Sequence, residues 1–432
     1  MSRKESVEAQ LSRVLPAIAT PLNRRALLQL AAAAGVTLTL SACAPGAIAP
    51  TATIAGTATT AGRKTGQVVN MVPTLANIFY ASWGDGYESA AASLGLTTKT
   101  NLPEFEPTRE LEYARGLRTS GASMLVGIAG DQSQVPNIAR LCQEQEIPYA
   151  PAFENPPWFT PQDVGDYYVA FTTPRSRDAA YQTAKYLFES IGGKGEIIHI
   201  RGAAGPTDTF RTQGVEQAAA EFPGIELVGK MSTAWTVETG RQAMLTAISA
   251  NPNAKGVFAQ NDTLAQGVIS VLRSQGLSGV KVVGMDAIPE VLPEIESGEY
   301  LIASFNSLGN YIAGLQTVHV FDALNGWKPS MPERLLETGG VLVTADNVAV
   351  LQERVYDDAN AFDWTRISRV LHPDDWDLQF DVQPANPLQL WDGFPKDVPL
   401  NSVWTASGAD AEIESVRKEY VAHYTSGPLK GM

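Results

Sequence analysis

The sequence has few of the residues on which disulfide bonds, metal sites and nucleic-acid binding depend. Its 432 residues include two cysteines, so the fold must rest mainly on its apolar core. Acidic residues outnumber basic ones by 46 to 32, which argues against binding nucleic acid through a general positive field. Four histidines are scattered without the spacing of metal ligands: His199, His319, His372 and His423. We therefore expect no nucleic-acid partner, no metal and no cofactor.

The sequence also lacks the short motifs of common enzyme classes. It has no Gly-x-Ser-x-Gly elbow, no His-Glu-x-x-His pair and no Gly-x-x-x-x-Gly-Lys-Ser/Thr loop. The run GGKG at 192–195 precedes a predicted strand, whereas a phosphate-binding loop follows one, so a turn is the better interpretation. We expect a binding protein and not an enzyme.

The N-terminus has the features of an export signal. An uncharged, Leu- and Ala-rich run at 26–42 follows Arg24 and Arg25, and it is shorter than the ~20 residues of a membrane-spanning helix. The arginine pair resembles a twin-arginine signal, and LSAC at 40–43 resembles the box of bacterial lipoproteins, whose cysteine is lipid-modified. We predict an export signal at 1–42 and lipid attachment at Cys43. A chance apolar N-terminus with a buried cysteine is the alternative.

These features predict where the protein resides. Residues 43–66 are rich in Ala, Thr and Gly with almost no large apolar side chain, a composition typical of a flexible tether. Lipid on Cys43 and this tether would hold a folded body at the extracytoplasmic face of the bacterial cell membrane, in the periplasm or at the cell surface. Cys142 would then be the remaining thiol, so we expect no internal disulfide.

From residue 67 to about residue 345, short apolar runs alternate with amphipathic helical patterns. This alternation is typical of an α/β fold with parallel sheets, and nine strands are more than one domain of usual size would hold. The predicted strands lie at 68–72, 124–128, 148–152, 167–171, 196–200, 225–230, 256–259, 281–285 and 301–304. We predict two sheets, with a ligand beyond the carboxyl ends of their strands.

The residues that follow these runs are candidates for the binding site. Phe79 and Tyr80 begin a helix where small polar residues are more common, and Asn261 and Asp286 each follow a strand. Helix capping or a turn would also explain Asn261 and Asp286. For each aromatic residue taken alone, Trp235 included, core packing is the simpler explanation.

Three stretches carry a resemblance to a known family. GVFAQNDTLAQG at 256–267, VKVVGMD at 280–286 and GEYLIAS at 298–304 resemble the C-terminal half of periplasmic ribose-binding proteins, in residues and in spacing. The resemblance covers about residues 67–345 and is strongest from 195 to 304. It implies two Rossmann-like lobes joined by three crossover strands. The N-terminal lobe would hold 67–172 and about 302–345, and the C-terminal lobe 173–301.

The resemblance also implies ligand-contacting residues between the lobes: Asn77, Phe79, Tyr80, Arg211, Trp235, Asn261, Asp286 and Asn306. One segment departs from the pattern, because ribose-binding proteins have adjacent aspartate and arginine where this chain has Phe153, Glu154 and Asn155. A carboxylate in place of the arginine guanidinium reverses the local charge, which argues against ribose itself as the ligand. We expect Glu154 or Asn155 to face the cleft, with a solvated loop carboxylate as the alternative.

These residue types match the chemistry of a sugar. A sugar ring has apolar C–H faces, on which Phe79, Tyr80 and Trp235 could stack. Its hydroxyls need fixed donors and acceptors, which Asn, Asp and Arg side chains supply, most strongly where one partner is charged. Because both lobes contribute, we expect the ligand to favour the closed cleft.

Residues 346–432 form an extension for which the resemblance gives no role. The extension is acidic and contains several prolines, and it holds four of the eight tryptophans: Trp364, Trp376, Trp391 and Trp404. Exposed tryptophans would form an apolar surface that favours aggregation, so we expect most of the extension to pack on a lobe. Both a structural brace and a partner-docking element remain open.

The sequence thus predicts a lipid-anchored, monomeric solute-binding protein that delivers a monosaccharide or polyol to an ABC transporter permease. One alternative is a receptor of the same fold that signals to a membrane sensor kinase or chemoreceptor. Another is a binder of a non-sugar solute such as a nucleoside. A cytoplasmic repressor is disfavoured by the export signal and by the lack of a basic DNA-binding segment.

Overall fold

The computed structural model describes residues 62–432. The predicted export signal at 1–42, Cys43 and nearly all of the predicted tether lie outside the described residues. Within residues 62–432, no helix is both long and apolar enough to cross a membrane.

The strands and helices follow one another in the order that an α/β protein requires. The strands are β1 (Gln67–Met71), β2 (Thr97–Asn101), β3 (Ala122–Gly127), β4 (Tyr149–Pro151), β5 (Phe171–Pro174), β6 (Lys194–Arg201), β7 (Gly224–Ser232), β8 (Gly256–Ala259), β9 (Lys281–Met285), β10 (Leu301–Asn306), β11 (Leu335–Thr338), β12 (Val341–Thr344) and β13 (Val382–Pro384). The helices are α1 (Phe79–Ser93), α2 (Pro107–Arg115), α3 (Val135–Gln145), α4 (Ser176–Ser190), α5 (Pro206–Glu221), α6 (Val237–Ala250), α7 (Asp262–Gln275), α8 (Leu292–Ser297), α9 (Gly309–Leu324), α10 (Val348–Leu351), α11 (Trp364–Ile367), α12 (Pro387–Leu390) and α13 (Ala409–Ala422).

The first lobe is built on a parallel sheet with the strand order β2-β1-β3-β4. The central strands β1 and β3 are apolar and buried, whereas the polar edge strand β2 is mostly exposed. A second sheet, β13-β11-β5, belongs to the same lobe. Two isolated bridges, Tyr149–Tyr168 and Ala152–Thr172, connect the region of β5 to the region of β4 in the first sheet. Helices α1 and α9 pack closely because Gly86 has no side chain: a Cβ there would lie 1.8 Å from the carbonyl oxygen of Asn310.

The second lobe is built on a six-stranded sheet with the order β12-β10-β9-β8-β6-β7. Its strands are parallel except β12, which pairs antiparallel with β10. Side chains alternate between the two faces, as strand geometry dictates. Phe258 of β8 joins the apolar cluster with α4 and α5, whereas Val257 and Ala259 join the cluster that contains α6 and α7. The sheet is therefore covered by helices on both faces.

Up to β12 the chain passes between the lobes three times, between β5 and α4, between β10 and α9, and between β11 and β12, and the extension then returns to the first lobe at α11. The prediction of two parallel-sheet lobes with three crossovers is confirmed. The expected boundaries differ in two places, because β10 and β12 hydrogen-bond into the second sheet. Residues 302–306 and 341–344 therefore belong to the second lobe and not to the first. The strand predicted at 167–171 begins instead at Phe171, and Tyr168 before it makes a single bridge.

The extension packs along the folded body and buries its tryptophans. Trp364, Trp376, Trp391 and Trp404 are each at most 3% exposed. The strand β13 pairs with β11 of the first lobe, and α11 packs on α1 and α9. The last helix of the extension is α13.

Candidate ligand-binding site

A cavity of about 280 Å³ opens between the two lobes, at the carboxyl ends of their strands. Its walls come from the segments after β1, β3 and β4 on one side and after β6, β7, β8 and β9 on the other. Eight of the ten predicted ligand-contacting residues line it: Asn77, Phe79, Tyr80, Glu154, Arg211, Trp235, Asn261 and Asp286.

Aromatic side chains of the first lobe form one wall of the cavity. The ring centroid of Phe79 lies 5.7 Å from that of Tyr80 and 5.5 Å from that of Phe153, both edge to face. The turn before α1 fixes these rings, because the Asn77 Oδ1 accepts a hydrogen bond of 3.1 Å from the Phe79 amide. Gly309 leaves room for Phe79, since a Cβ there would lie 2.4 Å from the ring. The wall is therefore apolar and closely packed.

Trp235 contributes an aromatic face from the second lobe. Its backbone has a φ of 62°, a conformation that is uncommon for a large residue. Its ring lies against Gly202, where an added Cβ would be 1.8 Å from the indole. The guanidinium carbon of Arg211 lies 5.9 Å from the ring centroid. Trp235 is half-buried, and Gly202 leaves the space that its ring occupies.

Arg211 and Asp286 form a buried ion pair in the cavity wall. The Arg211 Nη2 donates to the Asp286 Oδ1 at 3.2 Å, and the side chains are 3% and 8% exposed. The Arg211 Nη1 also donates to the carbonyl of Gln260. Burial raises the pKa of Asp286 to about 6, although the neighbouring guanidinium opposes the rise. The pair thus presents a fixed donor and a fixed acceptor in the wall of the cavity.

Two asparagines hold the turns that face each other across the cavity. The Asn261 Oδ1 accepts a hydrogen bond of 2.8 Å from the Leu264 amide, so Asn261 caps α7 and lines the cavity as well. The Asn77 Oδ1 accepts a second hydrogen bond of 2.8 Å from the hydroxyl of Thr263. This bond joins the first lobe to the N-terminal turn of α7 in the second lobe.

Glu154 extends from the first lobe towards the second. It follows β4, and its Oε2 lies 2.9 Å from the position that a Cβ on Gly205 would take, at the start of α5. Burial raises the pKa of Glu154 to about 7, while Thr207 and Arg211 oppose that rise. A carboxylate at this position is favoured by the backbone amide and hydroxyl of Thr207 and by the dipole of α5.

The sequence pattern of the family described as periplasmic binding protein domain matches residues 68–314, which is more than half of the chain. The chain belongs to this family. Its relatives include a xylitol-binding protein of Mycolicibacterium smegmatis, 30% identical over 187 residues, which are 43% of this chain and 52% of that protein. The ribose import binding protein RbsB of Salmonella typhimurium is 26% identical over 253 residues, 58% of this chain and 82% of that protein. The chain thus matches about half the length of the first relative.

Solved structures have the same fold. A twin-arginine translocation pathway signal protein from Burkholderia phytofirmans superposes with a TM-score of 0.64 at 27% identity, covering 69% of this chain and 95% of that one. An ABC transporter periplasmic solute-binding protein from Actinobacillus succinogenes, with bound D-allose, gives a TM-score of 0.61 at 20% identity, covering 66% and 99%. The resemblance to periplasmic ribose-binding proteins is therefore confirmed for family and fold.

Two predicted site residues do not line the cavity of this family member. Asn155 is 1% exposed, and it donates to the Phe159 carbonyl at 2.6 Å and accepts from the Tyr168 hydroxyl at 2.8 Å. Asn306 donates to the Tyr356 hydroxyl at 2.9 Å and accepts from the Leu308 amide at 2.6 Å. Both amides are used within the fold, Asn155 to hold its loop and Asn306 to bind the extension.

The prediction also missed lining residues after β3 and at the start of α5. Asp131 and Gln132 follow the carboxyl end of β3, which the sequence had marked as a strand, so the same rule would have found them. Thr207 lies in the first turn of α5. Phe105 lies at the rim with 43% of its surface exposed, and no apolar run marks its loop in the sequence.

Proposed function

We propose that this chain is an extracytoplasmic solute-binding protein that captures a monosaccharide or polyol and delivers it to an ABC transporter permease. The observation that carries the proposal is the cavity itself, in which aromatic faces from both lobes stand beside fixed polar groups. A polyhydroxylated ligand needs this combination of apolar faces and hydrogen-bonding edges.

In this proposal Phe79, Tyr80 and Trp235 stack on the C–H faces of the ligand. Arg211, Asp286 and the two asparagines then hydrogen-bond its hydroxyls, and charged partners make these bonds stronger than neutral ones. Ligand contacts from both lobes would favour a closed cleft, to which the Thr263–Asn77 hydrogen bond already contributes. The ligand names of the relatives, xylitol and ribose, and the D-allose in a related structure support the same class.

A thermal-shift screen of pentoses, hexoses and polyols tests this proposal. A ligand at one hundred times its dissociation constant adds about 2.7 kcal/mol to the free energy of unfolding, so a specific ligand raises the melting temperature clearly. Isothermal titration calorimetry then measures the affinity. Stabilisation by nucleosides alone would favour the non-sugar alternative, and no stabilisation by any sugar or polyol would contradict the proposal.

The proposal includes export by the twin-arginine route and a lipid anchor on Cys43, with the protein acting as a monomer. The Arg24–Arg25 pair and the LSAC box support export and anchoring, and one related structure is named as a twin-arginine pathway signal protein. Cys43→Ala should move the protein from the membrane to the soluble fraction, because the lipid on this cysteine is the one attachment to the membrane that we propose. Retention of that variant on membranes would contradict the anchor and leave the binding proposal intact.

A further inference from the structure

The charged residues that line the cavity are predominantly acidic. Among the lining residues in the described part of the chain, Asp131, Glu154 and Asp286 contribute three carboxylates, and Arg211 contributes the single guanidinium. Such a concave site with low-dielectric walls concentrates its field, so the excess of one sign acts on any ligand that enters.

The single guanidinium is already paired. Arg211 donates through Nη2 to Asp286 at 3.2 Å and through Nη1 to the Gln260 carbonyl. It is 3% exposed, and its charge is compensated by the carboxylate that faces it. Arg211 therefore offers hydrogen-bond geometry to a ligand but no free positive charge for an anion.

Glu154 is the carboxylate best placed to act on a ligand. Within residues 62–432, no Lys, Arg or His nitrogen lies within 4 Å of its carboxylate, whereas Asp286 has Arg211. Glu154 comes from the first lobe and reaches the N-terminal turn of α5 in the second, so it stands where the lobes meet over the cavity. An anionic ligand would bring like charges together in a low-dielectric region, where repulsion is strong.

We infer that the cavity selects neutral polyhydroxylated ligands and rejects anionic ones, such as sugar acids and sugar phosphates, and that Glu154 sets this selectivity. The inference rests on the proposed sugar or polyol site and narrows its ligand class. In the same position Glu154 can accept a hydrogen bond from a ligand hydroxyl, because a carboxylate has acceptor sites beyond those that Thr207 occupies.

The experiment compares matched neutral and anionic ligands at pH 8.0, above the raised pKa of Glu154. Xylitol is paired with D-xylonate, D-ribose with D-ribose 5-phosphate and D-galactose with D-galacturonate. Calorimetry is done on the pair whose neutral member binds. We expect the wild type to bind the neutral member at least one hundredfold more tightly. Glu154→Gln keeps the size of the side chain and an acceptor oxygen, and it should reduce this ratio by tenfold or more through tighter binding of the anion.

Two further variants control the result. Glu154→Asp keeps the charge and should keep most of the discrimination, which separates charge from packing if Glu154→Gln is unstable. Glu189→Gln changes an exposed carboxylate on α4, remote from the cavity lining, and should leave both affinities unchanged. Wild-type binding of the anion within tenfold of the neutral ligand would overturn the inference, as would an unchanged ratio in Glu154→Gln. If no neutral sugar or polyol binds the wild type, the proposed function itself fails, which is a distinct outcome.

Discussion

At the scale of single residues, we expect the Arg211–Asp286 pair to contribute both to ligand binding and to the stability of the fold. Both side chains are nearly buried, so removal of the carboxylate would leave a guanidinium without its counter-charge. Breaking a buried pair in this way costs about 3–5 kcal/mol of folding free energy. An alanine at 286 would therefore mix a loss of stability with a loss of binding. An asparagine also removes the charge, but it keeps the shape and an oxygen that can accept from Arg211, so its loss of stability should be smaller.

Asp286→Asn should weaken binding of the best neutral sugar or polyol by about tenfold to one hundredfold. The reason is that a hydrogen bond to a charged group contributes about 1.5–3 kcal/mol, and the amide keeps only part of it. Calorimetry measures the affinity, and thermal melts without ligand measure the stability. Asp346→Asn, at an exposed position where the extension begins, is the matched control. Unchanged affinity would remove Asp286 from the binding site.

Gly202→Ala should weaken sugar binding by displacing Trp235. The added Cβ would lie 1.8 Å from the indole, and no rotation of a methyl group relieves such a contact, so the ring must move. An aromatic stacking partner contributes about 0.5–1.5 kcal/mol beyond its buried area, which corresponds to a few-fold to about tenfold loss of affinity. Gly279→Ala is the control, because a Cβ at that position meets no atom within 4 Å. Equal affinities for the two variants would show that Trp235 does not contact the ligand.

The residues that sequence reasoning could find are those fixed by local signals. Asn77 and Phe79 lie within two positions of each other in a single turn, and Asp286 directly follows an apolar strand. Asn306 also follows a strand, but its amide is used by Tyr356, 50 positions further along the chain. A partner at that separation leaves no periodic pattern in the sequence, so Asn306 could not be assigned to the extension in advance.

At the scale of elements, buried strands were predictable and short or polar ones were not. The strand at 256–259 has the predicted bounds, since its apolar pattern is continuous, and the helix α1 begins at Phe79 as predicted. The edge strand β2 has the sequence TTKTN and is mostly exposed, so it has no apolar pattern to detect. The strands β11, β12 and β13 have only three or four residues each, and their pairing is set by partners distant in sequence.

Trp364→Ala should destabilise the fold by about 3–5 kcal/mol, the usual effect of removing a large buried aromatic side chain. Trp364 of α11 fills the contact between α1 and α9: its Nε1 donates to the Ser89 hydroxyl at 2.9 Å, and its ring packs over Gly314. Urea denaturation followed by circular dichroism measures the change. Val421→Ala, on an exposed position of α13, should have little effect. A small effect of Trp364→Ala would mean that the extension contributes little to stability.

At the scale of the whole molecule, the extension contacts both lobes. In the first lobe Trp391 packs on Trp158, with ring centroids 5.9 Å apart. In the second lobe Phe394 packs on Phe210 at 4.8 Å, and Arg177 donates to a carbonyl of the extension, that of Asp392, at 2.7 Å. Any opening of the cleft must carry these contacts along or break them. The sequence indicated that the extension is buried but not that it joins the lobes, because its tryptophans have no periodicity.

The stability of the whole molecule should depend on pH through its buried titratable groups. Burial raises the pKa of Glu110, Asp322 and Glu337 to about 7, so these carboxyls stabilise the fold at low pH and lose that contribution as pH rises through 7. Burial lowers the pKa of His199 and His319 to about 3, so their contribution is present above pH 6.5 and is lost as pH falls towards 3. The carboxyls therefore lower the free energy of unfolding as pH rises from about 4 to about 7, and the two histidines oppose this change only below pH 6.5.

Glu110→Gln tests this pH dependence with a single change. A glutamine resembles the protonated carboxyl and keeps an oxygen that can accept from the Gly130 amide, a bond of 3.1 Å in this structure. We expect nearly equal unfolding free energies for variant and wild type at pH 5. At pH 8 the variant should be more stable by about 2–3 kcal/mol, at about 1.36 kcal/mol per pKa unit. Urea denaturation at pH 5, 6.5 and 8 gives the curve. Glu189→Gln, a change at an exposed carboxylate, should show the same dependence of the unfolding free energy on pH as the wild type. If the difference between Glu110→Gln and the wild type does not grow with pH, Glu110 is already ionised in the folded protein at pH 5.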